Sequence, residues 1–226
     1  MKGFMIVVEG LDGSGKGTQS KKLVERLQNE GYKVAHFDFP NYNSKSAWLV
    51  KEYLSGNFGE NFEEMDSRLP CICFAVDRLI TYRDKMKELY DDGYIIICDR
   101  WVTANLLHQT SKAKDKEECD KISNWIETLE FEQFELPRPD MTFYLKVPYE
   151  YSFKTITDRY KDDGSIKNDI HEKDINFLKL SYENGTYISE KYGWNTIECF
   201  TDSMRRIEDI HEELYGKIID HIKDLK

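Results

Sequence analysis

Residues 4–19 constrain the fold of this chain more than any other part of the sequence. Residues 4–8 form a short, apolar, β-branched run that is typical of a buried strand. Residues 19–27, beyond Lys16, have the apolar spacing of a helix, and the segment between strand and helix carries glycines at positions 10, 13, 15 and 17. A strand, a glycine-rich loop, a lysine and a helix in this order predict a phosphate-binding loop.

The chemistry of phosphate binding explains the residue types in this loop. Glycines let backbone N–H groups approach an anion, the helix N-terminus adds a positive dipole end, and Lys16 supplies a mobile cation. The usual hydroxyl residue after the lysine is replaced by Gly17, so a customary Mg²⁺ ligand is missing. A glycine-rich turn with a surface lysine is the alternative. We expect a nucleotide to bind residues Gly10, Leu11, Asp12, Gly13, Ser14, Gly15, Lys16, Gly17 and Thr18.

Five apolar runs alternate with helical patterns along the chain. The four predicted strands after the first cover residues 33–39, 94–98, 141–147 and 194–200. This alternation predicts an α/β fold, a doubly wound five-stranded parallel sheet flanked by helices. Because the 226 residues show no linker and no repeat, we expect a single domain over 1–226.

Charged residues follow the most apolar of these strands. Asp99 and Arg100 come directly after it, where the carboxyl ends of parallel strands carry ligands. An aspartate there can hold Mg²⁺ or accept a proton, and an arginine can clamp a phosphate with two hydrogen bonds. A structural ion pair at the strand end is the alternative.

Three further segments admit both a functional and a structural role. Residues 39–42 (FPNY) bring two aromatics and an amide to a strand end, or simply end the strand with a core phenylalanine. Arg78 lies in a mostly apolar helical turn, where a snorkelling surface residue is commoner than a ligand. The charged, glycine-bearing residues 159–167 suit a mobile lid or an ordinary surface loop.

The net charge of −10 argues against nucleic acid or an anionic membrane as a partner, but not against a small anionic substrate. Five scattered cysteines without metal-ligand spacing fit a reducing compartment. The first apolar run is too short for a signal peptide, and no segment reaches the length of a membrane span. We therefore expect a soluble, cytoplasmic protein.

In chain order these segments resemble the thymidylate kinases (dTMP kinases), a family of P-loop nucleoside monophosphate kinases. The matching motifs are EGLDGSGKGTQ at 9–19, FPNY at 39–42, FAVDR at 74–78 and DRW at 99–101, with a lid at about 159–172. The resemblance spans essentially the whole chain. It implies transfer of the terminal phosphoryl group of ATP to dTMP for dTTP synthesis, with Mg²⁺ as cofactor and a homodimeric assembly.

The resemblance also implies residue roles. The catalytic residues it implies are Lys16, Asp99, Arg100 and Arg159, of which Asp99 is the acid near magnesium. Lys161 and Lys167 would be further lid cations, and His171 and Glu172 lie near the acidic lid end. In the acceptor site, Asp12 meets the sugar 3′-hydroxyl, Phe74 stacks on thymine, Arg78 reads its exocyclic oxygen, and Tyr42 and Arg100 hold the phosphate. The remaining substrate-binding positions are Phe39, Trp101 and Asn105.

Three departures from the family pattern leave alternatives open. Trp101 stands in place of the usual tyrosine, Asn41 in place of a frequent arginine, and Gly17 in place of the loop hydroxyl. A deoxynucleoside monophosphate kinase of altered base specificity and a non-catalytic nucleotide-binding protein are therefore alternatives. A switch GTPase is disfavoured because no Asp-x-x-Gly or Asn-Lys-x-Asp segment follows the loop. A deoxynucleoside kinase is disfavoured because the strand-end arginine suits a phosphate acceptor.

Overall fold

The computed structural model describes residues 3–59, 65–163 and 175–224. Its centre is one five-stranded sheet with the order β2-β3-β1-β4-β5, in which every pair of neighbours is parallel. The strands are β1 (Phe4–Gly10), β2 (Val34–Asp38), β3 (Ile95–Asp99), β4 (Met141–Lys146) and β5 (Asn195–Glu198). The predicted fold class is therefore confirmed.

Helices cover both faces of the sheet. They are α1 (Lys16–Asn29), α2 (Trp48–Leu54), α3 (Arg68–Thr81), α4 (Lys87–Asp91), α5 (Val102–Ala104), α6 (Lys116–Glu127), α7 (Tyr149–Asp163), α8 (Ile175–Lys191) and α9 (Ile207–Asp224). Three π-helical turns extend or join them, at Tyr82–Met86, Asn105–Gln109 and Thr128–Gln133. The first of these joins α3 to α4.

The two faces of the central strands build two separate cores. Ile6 and Val8 of β1 pack with Leu23 and Leu27 of α1 and with residues of α9. Met5 and Val7 point to the opposite layer, which α3, α6 and α8 supply. Because both faces are covered, β1 and β3 are apolar almost without interruption, which is the pattern expected of buried parallel strands.

The sheet order creates a crevice between the ends of β1 and β3. From β1 the chain crosses to β2 on one side of the sheet, and from β3 it crosses to β4 on the other. Ligands bind at such a switch point, outside the carboxyl ends of the strands. Val8 and Asp99 are register partners there, so the glycine loop after β1 and the charged pair after β3 face the same crevice.

Part of the predicted lid lies outside the described residues. Helix α7 continues to Asp163, so the start of the lid segment is helical, and residues 164–172 are not among those described. Of the described helices, none combines the length and the apolar character that a membrane span requires.

Candidate active site

The crevice opens into a cleft of about 670 Å³. Its walls come from the glycine loop, the end of β2, helix α3, the end of β3, the turn after α5, and helix α7. Most of the predicted site residues line it: Asp12, Gly13, Gly15, Lys16, Gly17, Thr18, Phe39, Tyr42, Phe74, Arg78, Asp99, Arg100, Asn105 and Arg159. The tertiary structure thus brings residues that lie up to 147 positions apart in the sequence to one surface.

The glycine loop is shaped by two residues in the left-handed region. Gly13 has a φ of 79° and Gly15, which precedes α1, has a φ of 91°. A side chain on Gly13 would also lie 2.9 Å from the Ser152 carbonyl oxygen of α7, so a glycine is required there on two grounds. Lys16 then begins α1, and its Nζ donates to the Leu11 carbonyl oxygen at 2.8 Å across the loop.

Arg100 occupies the floor of the cleft between two carboxylates. Its Nη1 donates to Glu9 at 2.8 Å, and its Nη2 donates to Asp12 at 2.8 Å. Its Nη1 also lies 2.6 Å from His108 Nε2, which must act as the acceptor because a guanidinium only donates. Arg100 is therefore an ion-paired residue inside the candidate site, and its partners in these pairs are Glu9 and Asp12.

The charged groups in this part of the cleft perturb one another. Burial lowers the pKa of Lys16, and the nearby Arg100 lowers it further. Although burial opposes it, Arg100 and then Lys16 hold the pKa of Asp12 well below its usual range. Burial raises the pKa of Glu9 despite its pairing with Arg100. An anion bound near Lys16 and Arg100 would offset the repulsion between these two cations.

Asp99 is placed where it could help to hold a magnesium ion. It is the register partner of Asp38, and both carboxylates line the cleft beside the glycine loop. Its Oδ2 would lie 3.2 Å from a Cβ on Gly17, so a side chain at position 17 would crowd this carboxylate. One or two carboxylates completed by phosphate oxygens and water are the donor set that Mg²⁺ prefers beside a nucleotide. The residues present therefore fit the ion. The Asp99 carboxylate approaches the loop at Gly17, which is the position where the usual hydroxyl residue is missing.

Phe74, Arg78 and Asn105 form a second group of residues that line the cleft. Arg78 is only 2% exposed, so the expectation of a snorkelling surface residue is wrong. Its Nε and Nη2 donate to the two oxygens of Glu130 at 2.6 and 2.7 Å. Asn105 donates to the same carboxylate at 2.8 Å.

Sequence reasoning did not identify Glu130. Glu130 is fully buried, and it follows the buried Ile126 by four residues. Residues four apart share one helix face, so a carboxylate on the buried stripe of a helix was the signal available in the sequence.

The loop at residues 39–42 is tied to α3. The Asn41 N–H and the Ser46 hydroxyl both donate to the buried Asp77 carboxylate at 2.7 Å, and Asn41 Nδ2 donates to Thr81 at 3.2 Å. Asn41, one of the departures from the family pattern, therefore has a structural partner on α3. The loop places Tyr42, which is 47% exposed, on the cleft wall.

The structure does not bring Trp101 to the surface of the cleft. Its side chain is fully buried, its Nε1 donates to the Pro137 carbonyl oxygen at 3.1 Å, and its ring packs edge-on against Phe39 at 5.0 Å between centroids. The predicted substrate contact is corrected to a supporting contact beneath Phe39. Gly10, Leu11 and Ser14 are likewise buried within the loop.

Arg159 reaches the cleft from helix α7. It follows Thr155 by one turn, and both residues line the cleft. The Thr155 Cβ would lie 3.2 Å from a side chain on Gly13, so this face of α7 lies directly against the glycine loop. The side chain of Lys161 and all of Lys167, His171 and Glu172 lie outside the described residues.

A glycine loop at the switch point of a five-stranded parallel sheet, with an aspartate and an arginine after the neighbouring strand, defines a P-loop kinase of the nucleoside monophosphate type. The thymidylate kinase family model matches residues 8–214. The chain belongs to the thymidylate kinase family and is therefore an ATP-dependent phosphotransferase that acts on dTMP.

Similar proteins span nearly the same length. The thymidylate kinase of Plasmodium falciparum is 29% identical over 218 residues, which are 96% of this chain and 90% of that protein. A probable thymidylate kinase of Pyrococcus horikoshii is 26% identical over 96% of this chain and 97% of its own length. A thymidylate kinase of an Exiguobacterium species is 25% identical over 99% of this chain and 97% of its own length.

The position of Trp101 leads to a prediction that distinguishes a residue supporting Phe39 from a residue that contacts the substrate. Trp101→Phe removes the hydrogen bond to Pro137 and part of the buried ring, so we expect a loss of about 1–3 kcal/mol in the free energy of unfolding. The KM for dTMP should stay within about twofold, because the ring does not reach the cleft. Urea denaturation and steady-state kinetics measure the two quantities.

Phe74→Leu is the matched control for this substitution, because Phe74 lines the cleft. It should raise the KM for dTMP with a smaller change in stability. If Trp101→Phe instead leaves the stability unchanged and strongly raises the KM for dTMP, the predicted direct contact between Trp101 and the substrate is supported.

Proposed function

We propose that this chain transfers the terminal phosphoryl group of ATP to dTMP, giving ADP and dTDP for dTTP synthesis, in the cleft between β1 and β3. The observation that carries the proposal is that Lys16, Arg100 and Arg159 line one cleft, in which Asp12 pairs with both Lys16 and Arg100. The same cleft is lined by Phe74, Arg78 and Asn105, and Glu130 joins the last two. We call the first group the phosphate end of the cleft and the second group the base end. One end suits phosphates and the other suits a base.

The charge of the cleft supports a reaction between two anions. Although the chain carries a net charge of −10, five basic and three acidic side chains line the described part of the cleft. Phosphoryl transfer between nucleotides depends on positioning and on neutralising charge. The acceptor phosphate is already ionised, so the site needs no strong general base, and the described cleft offers cations instead.

At the donor end, residues 10–18 would cradle the phosphates of ATP, with Lys16 directed to the transferred group. A bound Mg²⁺ would neutralise phosphate charge and fix the geometry of the donor. Asp99, with Asp38 beside it, would hold the ion together with phosphate oxygens and water. The crowding of Asp99 against Gly17 supports this assignment, because the carboxylate lies close to the position of the missing hydroxyl.

At the acceptor end, Arg100 and Tyr42 would bind the phosphate of dTMP, and Asp12 would accept from the sugar 3′-hydroxyl. Phe74 would stack on the base, and Arg78 and Asn105 would read its edge. Phe39 would form the wall between phosphate and base, supported from below by Trp101. The two carboxylates bound to Arg100 keep its guanidinium at the floor of the cleft, where an incoming phosphate meets it already oriented.

A coupled assay with ATP and a panel of nucleoside monophosphates tests this function. We expect turnover of dTMP above all other acceptors, and a fall in kcat of roughly 100-fold or more in Lys16→Met, because a cation at the phosphates is lost. Lys22→Met is the control, since Lys22 lies on the same helix and pairs with Glu208 outside the cleft.

Preference for another monophosphate would favour a kinase of altered base specificity. Absence of turnover would favour a non-catalytic nucleotide-binding protein. Near wild-type rates in Lys16→Met would show that the phosphate loop has been misassigned.

We also propose that Arg159 supplies positive charge in the transition state. The glycine loop holds no basic residue before Lys16, and Arg159 is exposed on the face of α7 that adjoins this loop. A planar guanidinium can bridge donor and acceptor phosphates at once.

Arg159→Ala should therefore lower kcat by roughly 100-fold while the KM for dTMP changes by less than about threefold, the pattern of a contact made mainly in the transition state. Steady-state kinetics of this variant and of Lys161→Ala and Lys167→Ala, measured together, locate the charge. Lys154→Ala is the control, because Lys154 is exposed on α7 outside the cleft lining. If Arg159→Ala keeps the wild-type kcat while one lysine variant loses it, that lysine supplies the charge. If all three variants keep the wild-type kcat, the charge does not come from the lid.

We further propose that the chain forms a homodimer in the cytoplasm. Leu69, Ile72 and Ile80 are 38, 44 and 36% exposed, and their spacing places them on one face of α3. This apolar stripe offers a surface for a second copy of the chain. All five cysteines are buried and unpaired, which suits a reducing compartment.

Sedimentation at micromolar concentration should give twice the chain mass of 26.8 kDa. Ile72→Glu should shift the species to the monomer, because a charge would then have to be buried in the interface. Ile207→Glu, at an exposed isoleucine of α9, should leave the dimer intact. A wild-type chain that sediments only as a monomer would refute the assembly.

A further inference from the structure

The base end of the cleft rests on a single buried carboxylate. Glu130 is fully buried in the π-helical turn after α6, and it accepts three hydrogen bonds from the two polar side chains that line this end. Neither a core position nor a helix surface requires a carboxylate there. Burying an unpaired carboxylate costs free energy, so the presence of Glu130 at this position is explained by what its partners do.

The first consequence is the orientation of Arg78. Glu130 binds the Nε and Nη2 side of the guanidinium with two parallel hydrogen bonds, an arrangement that fixes the plane of the group. Among the described residues no partner takes the remaining Nη1, and Arg78 lines the cleft. Arg78 therefore presents hydrogen-bond donors, in a fixed direction, to whatever enters the cleft.

The second consequence is the orientation of the Asn105 amide. Its Nδ2 donates to Glu130 at 2.8 Å and to the Cys71 carbonyl oxygen at 3.1 Å. Both partners can only accept, so a flipped amide would set its oxygen against two oxygens. Glu130 thereby commits both N–H groups of Asn105 to the protein and leaves Oδ1, an acceptor, for a ligand.

A donor from Arg78 beside an acceptor from Asn105 matches one class of pyrimidine. A 4-oxo pyrimidine presents an acceptor at position 4 and an N–H donor at position 3. A 4-amino pyrimidine presents the reverse pattern and would meet a donor with a donor and an acceptor with an acceptor. Unpaired polar groups in a closed site are the strongest basis for rejecting a near-identical substrate.

We propose that Glu130 is the positioning residue that sets the selectivity of this site for 4-oxo over 4-amino pyrimidine nucleotides. It acts through Arg78 and Asn105 and does not itself touch the base. The inference rests on the proposed function, in that Arg78 and Asn105 are taken to read the base.

A glutamine cannot replace this carboxylate. The three N–H groups that point at Glu130 all need acceptors, and an amide offers one oxygen and an N–H₂ group that only donates. With its oxygen at the Oε1 position, Glu130→Gln still accepts from Arg78 Nη2 and Asn105, but its N–H₂ then faces Arg78 Nε. With its N–H₂ at the Oε1 position, it faces Arg78 Nη2 and Asn105 together. In the first orientation Arg78 loses one of its two parallel hydrogen bonds, so the plane of its guanidinium is no longer fixed. In the second orientation a rotated Asn105 amide would accept from the new N–H₂, but it would face the Cys71 carbonyl oxygen and turn a donor to the base. Either outcome weakens the pattern of one donor and one acceptor that the site presents.

The test is Glu130→Gln, with Glu127→Gln as the matched control. Glu127 is one turn earlier and is also paired to an arginine, but its partner Arg138 is 57% exposed and neither residue lines the cleft. In Glu130→Gln we expect the KM for dTMP to rise roughly tenfold or more while the KM for ATP stays within about twofold. The ratio of kcat/KM for dTMP to that for dCMP should also fall roughly tenfold or more. Glu127→Gln should change neither.

Arg78→Met separates a failure of this inference from a failure of the proposed function. If Arg78→Met leaves the KM for dTMP unchanged, the assignment of the base site itself is wrong. If Arg78→Met raises it and Glu130→Gln does not, the base site stands and the role of Glu130 is refuted. In the double variant the two effects should be less than additive, because Glu130 acts partly through Arg78. Full additivity would also overturn the proposal.

Circular dichroism and thermal unfolding show first whether each variant folds. Should Glu130→Gln not fold, Glu130→Asp is assayed instead, since it keeps the charge and withdraws the carboxylate by one methylene. The same rise in the KM for dTMP and the same loss of discrimination are then expected. A folded Glu130→Asp with wild-type selectivity would reduce Glu130 to a counter-ion and overturn the proposal.

Discussion

The ion pair between Glu9 and Arg100 is the interaction on which the site depends. Glu9 lies at the end of β1 with no exposed surface, and it accepts from Arg100 at 2.8 Å and from Thr103 at 3.0 Å. Breaking a buried pair of this kind leaves an uncompensated charge, so both partners are needed together. Since Arg100 also binds Asp12, the pair fixes the glycine loop, the end of β3 and the start of α5 relative to one another.

The base end repeats this arrangement with different residues. Glu130 holds Arg78 as Glu9 holds Arg100, and in each case a fully buried carboxylate orients a guanidinium that lines the cleft. An arginine fixed in advance loses little conformational entropy when it binds a ligand, so the cost of ordering is met during folding. A buried carboxylate therefore orients an arginine at both ends of the cleft, at one end for a phosphate and at the other for a base.

Much of the fold was predictable because it depends on local patterns. Five apolar runs alternating with helical patterns indicate a parallel doubly wound sheet, and its switch point indicates where the glycine loop and residues 99–100 meet. The family followed from short motifs whose spacing is set by backbone geometry. The identities of Phe74 and Arg78 as cleft residues came from the same motifs, and the structure brings both to the cleft.

The sequence by itself determined the strands, the phosphate loop and the family, because each of these is encoded in residues close together in the chain. Only the tertiary structure decided which charges are paired and which side chains face the cleft. Trp101 stands next to Arg100 in the sequence, yet it points into the core and supports Phe39. Glu130 lies 52 residues from Arg78, and no local pattern links them. Glu130 and Arg78 become partners only when distant elements pack together and bury both charges, because each buried charge then needs the other.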